Sequence, residues 1–197
     1  MKKSTVKDPH GGQSEQERFG LSRYFLLTMA LSFLGWAFET CLLRITTGKW
    51  HDRGFLSMPL CPIYGCSLIA AYFLLGTPDE PRGILQKIEN KGGRYALYLL
   101  FAFLIPSAAE LFVALFFDKV FQVWLWSYDD LPMNLDGYVC LPVSLAWAVL
   151  IFFFMKFVFS PLKRLFGKLP RGLSSVLAII LLLALIVDLG VSIKHIL

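Results

Sequence analysis

Long runs of apolar residues alternate with short polar segments along most of this chain. Five of the runs are about 16–23 residues long, which is enough for a helix to cross a hydrocarbon core of ~30 Å. Their predicted bounds are 21–43, 60–76, 95–117, 138–159 and 174–194. We therefore predict an all-α fold, a polytopic bundle of five transmembrane helices.

The composition agrees with this division into a tail and a membrane domain. The chain is 56% hydrophobic and contains 18 phenylalanines in 197 residues, above the 45–50% apolar share typical of soluble domains. Residues 1–20 are polar and contain few large apolar side chains, which is typical of a disordered tail. We expect a disordered cytoplasmic tail over residues 1–20 and one five-span domain over residues 21–197.

Basic residues predict the orientation of the spans. Lysines and arginines gather near the N-terminus and in the loops after the second and fourth spans, whereas the loop after the third is acidic. Because cytoplasmic loops carry the excess of Lys and Arg, we place the N-terminus in the cytoplasm and the C-terminus outside. The first loop is an exception, since it carries Arg44, Lys49 and Arg53.

Three carboxylates fall inside the predicted spans: Glu39, Glu110 and Asp188. An acid at mid-bilayer costs about 2.5–3.5 kcal/mol on insertion scales, so it normally faces protein and has a partner. All three lie in the outer half of their spans under the predicted orientation, so we expect the first, third and fifth spans to meet and bring these acids into one polar cluster. Each belongs to a helical stripe of small and polar residues that favours close helix packing in lipid: Thr28, Ser32, Gly35 and Glu39; Ser107, Glu110 and Ala114; Ala184, Asp188, Ser192 and His195.

The polar segment between the first two spans supplies partners for these acids. Arg53 is the expected counter-ion, since a guanidinium can bridge two carboxylates. In "CPIYG", Pro62 suits a first helical turn, Gly65 allows close helix approach, and Tyr64 can direct its hydroxyl toward the acids. Two interpretations stay open: a structural brace, or a site for a cation, a proton or a polar substrate group.

The sequence gives little indication of a cofactor or metal. It has no G-x-x-x-x-G-K-[ST] phosphate loop and no two-His helical motif, and we expect neither cofactor nor metal. Its basic residues are not interleaved with stacking aromatics, so no nucleic-acid partner is expected. The four cysteines suit buried packing positions, although a bridge between Cys61 and Cys140 outside the membrane stays open.

The sequence contains these blocks, in this order: "FLGWAFET", "RGFL", "PLCPIYG", "AAELF", "WSYDDLPMNLDGYVCLPVSLAW" and "LIVDLGVS". Together they resemble the putative ABC-transporter type IV family of bacterial membrane permeases. The sequence departs from the family's usual residues at Asp52 and Met58. The resemblance carries over these positions: Gly35, Glu39, Arg53, Gly54, Phe55, Pro59, Cys61, Pro62, Ile63, Tyr64, Gly65, Glu110, Trp126, Tyr128, Asn134, Gly137, Cys140, Leu141 and Asp188.

The resemblance implies a multi-pass protein of the bacterial inner membrane with a transport function. A permease without a phosphate loop needs a separate cytoplasmic ATPase, and Ile84, Leu85 and Ile88 are candidates for one docking face. Five spans make a small pathway, so a homodimer in contact with membrane lipids is expected. The polar site is predicted from Glu39, Arg53, Tyr64, Glu110, Trp126, Tyr128, Asn134 and Asp188.

Two other functions stay open, and we predict catalysis less readily than transport. The first is an intramembrane enzyme acting on lipid or lipid-linked substrates at the outer leaflet, because paired carboxylates suit acid–base chemistry. No Ser–His or Cys–His pair at useful spacing supports it, and we assign no catalytic residue. The second is a membrane scaffold or sensor that neither transports nor catalyses.

Overall fold

A computed structural model describes residues 19–48 and 55–196, and it is predominantly helical. The helices are α1 (Leu21–Thr47), α2 (Pro62–Leu75), α3 (Lys91–Phe116), α4 (Leu141–Phe157), α5 (Phe159–Gly167) and α6 (Arg171–Ile196). Each of the five predicted apolar runs forms a helix, with ends within about four residues of the prediction. Helix α5 lies in a segment that we predicted as a loop.

Three of these helices are long and apolar enough to cross a membrane individually, over Leu21–Ile45, Lys91–Phe121 and Arg171–Lys194. Helices α4 and α5 together make a fourth candidate, bent by 48° at their junction. Helix α2 has 14 residues, which at ~1.5 Å per residue is about 21 Å and shorter than a hydrocarbon core. The structure therefore gives a membrane protein with three to four helices of spanning length, and the fifth span stays a prediction.

The ends of α2 and α3 follow from their local sequence. Helix α2 begins with Pro62, whose missing N–H costs little in a first turn. It ends at Gly76, which has a positive φ of 76° that glycine adopts without strain. Helix α3 runs through Pro106 without a break, and the Ser107 hydroxyl donates to the Phe103 carbonyl at 2.7 Å.

Helix α1 is the centre of the bundle. It packs against α2, α5 and α6, whereas α3 packs against α2 and α4. Leu27 and Leu31 of α1, Met155 of α4 and Phe159 of α5 are fully buried in the main core. The outward side of α6 instead exposes a series of large apolar side chains, as expected of a surface that faces lipid: Ile179, Ile180, Leu183, Ile186 and Val187.

The structure of the segment before α3 shows that our predicted docking face is wrong. It contains a short 3₁₀ helix over Gly83–Lys87, and Leu85 in it is fully buried in the main core. Ile88 packs against the same core, whereas Ile84 is 53% exposed. The three side chains do not form one exposed face, because the protein's own interior holds two of them.

The connection between α3 and α4 is an ordered polar loop. Its one turn of π-helix, Phe117–Phe121, extends α3, and its last residues form an antiparallel pair, β1 (Asn134–Leu135) with β2 (Val139–Cys140). Asn134 stabilises the turn, since its amide nitrogen donates to the Leu131 carbonyl at 2.7 Å and its amide oxygen accepts from the Gly137 N–H at 3.0 Å. This β pair and an isolated bridge between Gly76 and Pro81 are additions to the predicted all-α architecture.

Candidate functional site

Close packing of α1 against α2 builds one wall of the candidate site. A Cβ atom added at Gly65 would lie 2.2 Å from the Ser32 hydroxyl and 2.3 Å from the Thr28 carbonyl oxygen. One added at Gly35 would lie 2.6 Å from the side chain of Tyr64. The small-residue stripe predicted on α1 is therefore the surface that contacts α2, and both glycines are needed for this approach.

This packing directs Tyr64 onto the first intramembrane acid. The Cys61 N–H donates to the Ser32 carbonyl at 3.2 Å, which ties the start of α2 to the middle of α1. One turn into α2, the Tyr64 hydroxyl donates to Glu39 Oε2 at 2.6 Å. The hydroxyl thus points toward the acids as its position in "CPIYG" led us to expect, while the functional role of the pair stays a prediction.

The loop after α3 makes an equivalent pair with the second acid. The Tyr128 hydroxyl donates to Glu110 Oε1 at 2.7 Å. The backbone around Tyr128 is fixed, because its N–H donates to the Gly137 carbonyl at 2.9 Å and the nearby Trp126 indole donates to the Tyr138 carbonyl at 3.0 Å. Asn134 shapes this loop through Gly137 and does not line the cavity described below.

The two tyrosine–carboxylate pairs share one cavity of about 1130 Å³. Glu39 and Tyr64 line it from α1 and α2, Glu110 from α3, and Tyr128 from the loop after α3. The rest of the lining is mainly aliphatic and aromatic. Trp147 of α4 lies 5.1 Å from the ring of Tyr64 and 5.5 Å from the ring of Phe38, measured between ring centroids.

Asp188 lies in a different place from the other two acids. Its Oδ2 accepts from the Met58 N–H at 3.1 Å, and it lines a second, smaller groove together with Ser57 and Met58. Helix α6 reaches the large cavity through Leu185 and Leu189 instead. Because this bond uses the backbone N–H of Met58, it does not depend on the side chain at that position.

Arg53 lies outside the described residues, as do Lys49, His51 and Asp52. The predicted pairing of Arg53 with Glu39 therefore stays a prediction. All four cysteines are described and are free thiols, which removes the bridge between Cys61 and Cys140. No group of three metal-ligating side chains occurs within residues 19–48 and 55–196.

A second polar cluster, which the sequence did not lead us to expect, lies at the opposite end of the bundle. The Tyr72 hydroxyl accepts hydrogen bonds from Arg82 and from Lys163, and both cations lie over its ring. Nearby, Lys156 donates to the Tyr95 hydroxyl at 3.3 Å, and the Tyr95 hydroxyl donates to the exposed Asp79. The signal in the sequence that could have predicted this cluster is the pair of tyrosines near the same end of two helices, Tyr72 late in α2 and Tyr95 early in α3.

The aromatic lining of the cavity was also missed. Phe38, Phe112, Trp147 and Phe154 all line it, but in the sequence they look like any other apolar residue of a span. Only the packing of separate helices identifies them, and no local pattern could have done so.

Neither the curated proteins nor the solved structures contain a match to this chain. A family model, described as putative ABC-transporter type IV, matches residues 25–193. The match includes Glu39, Tyr64, Glu110, Tyr128 and Asp188 and nearly all of the helical bundle. The chain therefore belongs to the putative ABC-transporter type IV family.

Proposed function

We propose that this protein is the membrane subunit of an ABC-type transport system and that the cavity shared by the two tyrosine–carboxylate pairs holds the transported molecule. The observation that carries the proposal is the pairing of Glu39 with Tyr64 and of Glu110 with Tyr128 around one cavity of about 1130 Å³. An acid with a purely structural role in a membrane bundle needs a hydrogen-bond partner but no neighbouring cavity. Glu39 and Glu110 have such partners and also border a space larger than a typical small-molecule pocket of about 300–1,000 Å³.

The proposed topology has five spans with the N-terminus in the cytoplasm of a bacterium and the chain in its inner membrane. The distribution of charge in space supports this orientation. Arg23, Arg82, Lys156 and Lys163 lie at the end where α1 begins, whereas the acids of the cavity lie where α1 and α3 end. Cytoplasmic surfaces carry the excess of basic residues. The shorter α2 crosses as the second span.

The remaining site residues act around the cavity in this proposal. Arg53 pairs with Glu39, Trp126 and Asn134 hold the loop that carries Tyr128, and Asp188 anchors the segment leading into α2. A separate cytoplasmic ATPase supplies the energy. A homodimer, with lipid around it, completes the transport pathway.

The direct test is purification from native membranes in a mild detergent, followed by mass spectrometry and a measurement of ATP hydrolysis. We expect a subunit with a phosphate-binding loop in fixed ratio to this chain, together with vanadate-sensitive hydrolysis. The Glu110→Gln variant should keep the assembly and lose substrate-dependent stimulation of hydrolysis. An intact chain that repeatedly purifies without an ATPase would contradict the proposal. Conversion of added lipid by that chain alone would favour the enzyme. An intact chain that shows neither an associated ATPase nor lipid conversion would favour the scaffold.

A further inference from the structure

The cavity combines a long apolar space with a small acidic end. Its apolar lining comes from five helices and includes Leu34, Phe38, Phe112, Val113, Leu150 and Phe154. The charged side chains among its described lining residues are Glu39 and Glu110. A molecule that fills this space has an apolar body, and a polar group at its acidic end meets carboxylates.

Part of the cavity wall is exposed apolar surface. Three of its lining side chains keep much of their surface exposed: Leu34 at 40%, Phe38 at 43% and Phe112 at 70%. They belong to α1 and α3, which both pack on α2. An apolar molecule therefore has a lateral route into the cavity from the bilayer, without crossing the aqueous loops.

Charge and aromatic rings select the headgroup. Among the described residues, Glu110 accepts one hydrogen bond, from Tyr128. Since a carboxylate offers about four acceptor positions, Glu110 keeps positions that can face a ligand in the cavity. Trp126 and Trp147 border the same cavity, and aromatic faces attract ammonium groups. An anionic headgroup would be repelled at this position.

From this geometry we infer that the cavity binds an amphiphile with an ammonium headgroup, which enters from the lipid and places its charge at Glu110. The inference rests on the proposed function and names the substrate class of that site. The acyl body lies among the apolar side chains of α1, α3 and α4. The ammonium group lies between Glu110 and the tryptophans.

The test measures binding to the chain alone, reconstituted in zwitterionic nanodiscs. Radiolabelled dodecyltrimethylammonium is the probe, and partition into empty nanodiscs is subtracted. We expect saturable binding that unlabelled probe displaces and that dodecyl sulfate and dodecanol do not. Glu110→Gln should weaken it about tenfold or more, as expected for loss of a charge-assisted contact. Glu110→Asp should keep the preference for the cationic probe.

Two further variants separate binding in the cavity from effects on folding. Glu80→Gln removes an exposed acid at the opposite end of the bundle and should bind as the wild type does. Ala109→Phe fills the cavity without changing its charge and should reduce binding. Equal binding by wild type and Glu110→Gln, or equal displacement by dodecyl sulfate, would overturn the inference.

The failure of this inference differs from the failure of the proposed function. An ATPase that co-purifies while the chain does not bind the probe would leave the transport role and remove this substrate class. Probe binding at Glu110 without any ATPase would leave the site and remove the ABC-type mechanism.

Discussion

The contact between α1 and α2 makes a sharp prediction about Gly65. Replacing it with alanine adds a Cβ atom 2.3 Å from the Thr28 carbonyl oxygen and 2.2 Å from the Ser32 hydroxyl. Ordinary contacts at such a position begin at 3.4 Å, so the two helices must separate by about 1 Å locally. A serine hydroxyl can rotate away, but a helix carbonyl cannot.

The expected cost follows from overpacking of a tight interface. Extra methyl groups forced into packed cores typically cost about 1–3 kcal/mol. For a chain of 150–250 residues this corresponds to a melting temperature lower by roughly 2–12 °C. The same separation should lengthen the Tyr64–Glu39 hydrogen bond, which is 2.6 Å long, so ligand binding in the cavity should weaken too.

Thermal unfolding of the purified protein in detergent measures the effect. Gly190→Ala is the matched control, since a Cβ atom there meets nothing within 4 Å, and alanine in a helix interior is favoured over glycine by up to about 1 kcal/mol. Adding Ser32→Ala to Gly65→Ala should restore little stability, because the carbonyl contact remains. If Gly65→Ala were as stable as Gly190→Ala, the close approach of α1 and α2 would be wrong.

Three further predictions test other parts of the structure. Glu39→Gln and Tyr64→Phe should be non-additive in a double-mutant cycle of detergent stability, by about 1.5–3 kcal/mol for a bond to a charged group; additive losses would exclude the pair. Leu85→Ala should lower the free energy of unfolding by about 2–5 kcal/mol, as in other buried cores, and a neutral result would mean that this side chain is exposed. Membrane-impermeant thiol reagents applied from outside should label a cysteine in place of Asp130 and spare one in place of Lys168; the reverse pattern would invert the proposed topology.

The helices could be predicted from the sequence because their signal is local. Apolar length predicted five helices. The stripe containing Gly35 and Glu39 correctly indicated a closely packed face of α1, but we expected it to meet the third and fifth spans, and it contacts α2 instead. The predicted helix start at Pro62 and the predicted contact of the Tyr64 hydroxyl with an acid are both confirmed. The helix bounds depend on residues within a few turns of each other, whereas the Tyr64–Glu39 contact also depends on the packing of α1 against α2.

The rest depends on which helices become neighbours, and the sequence pattern does not specify this. Glu110 and Asp188 occupy equivalent positions near the ends of their helices, yet Glu110 borders the large cavity and Asp188 binds the backbone before α2. Leu85 looked like part of an amphipathic surface because hydrophobic periodicity cannot distinguish an exposed face from one covered by a distant segment. The aromatic lining of the cavity is hidden for the same reason.

Cross-linking across the cavity tests most directly whether the two tyrosine–carboxylate pairs share one space. Cysteines replace Tyr64 and Tyr128 in a background where the four native cysteines are changed to serine, and a short bifunctional thiol reagent is applied in lipid nanodiscs. We predict an efficient intramolecular cross-link, and none for a control pair at Tyr64 and Val187, which is 67% exposed on α6. Absence of the first cross-link, or equal yield from the control pair, would contradict a shared cavity.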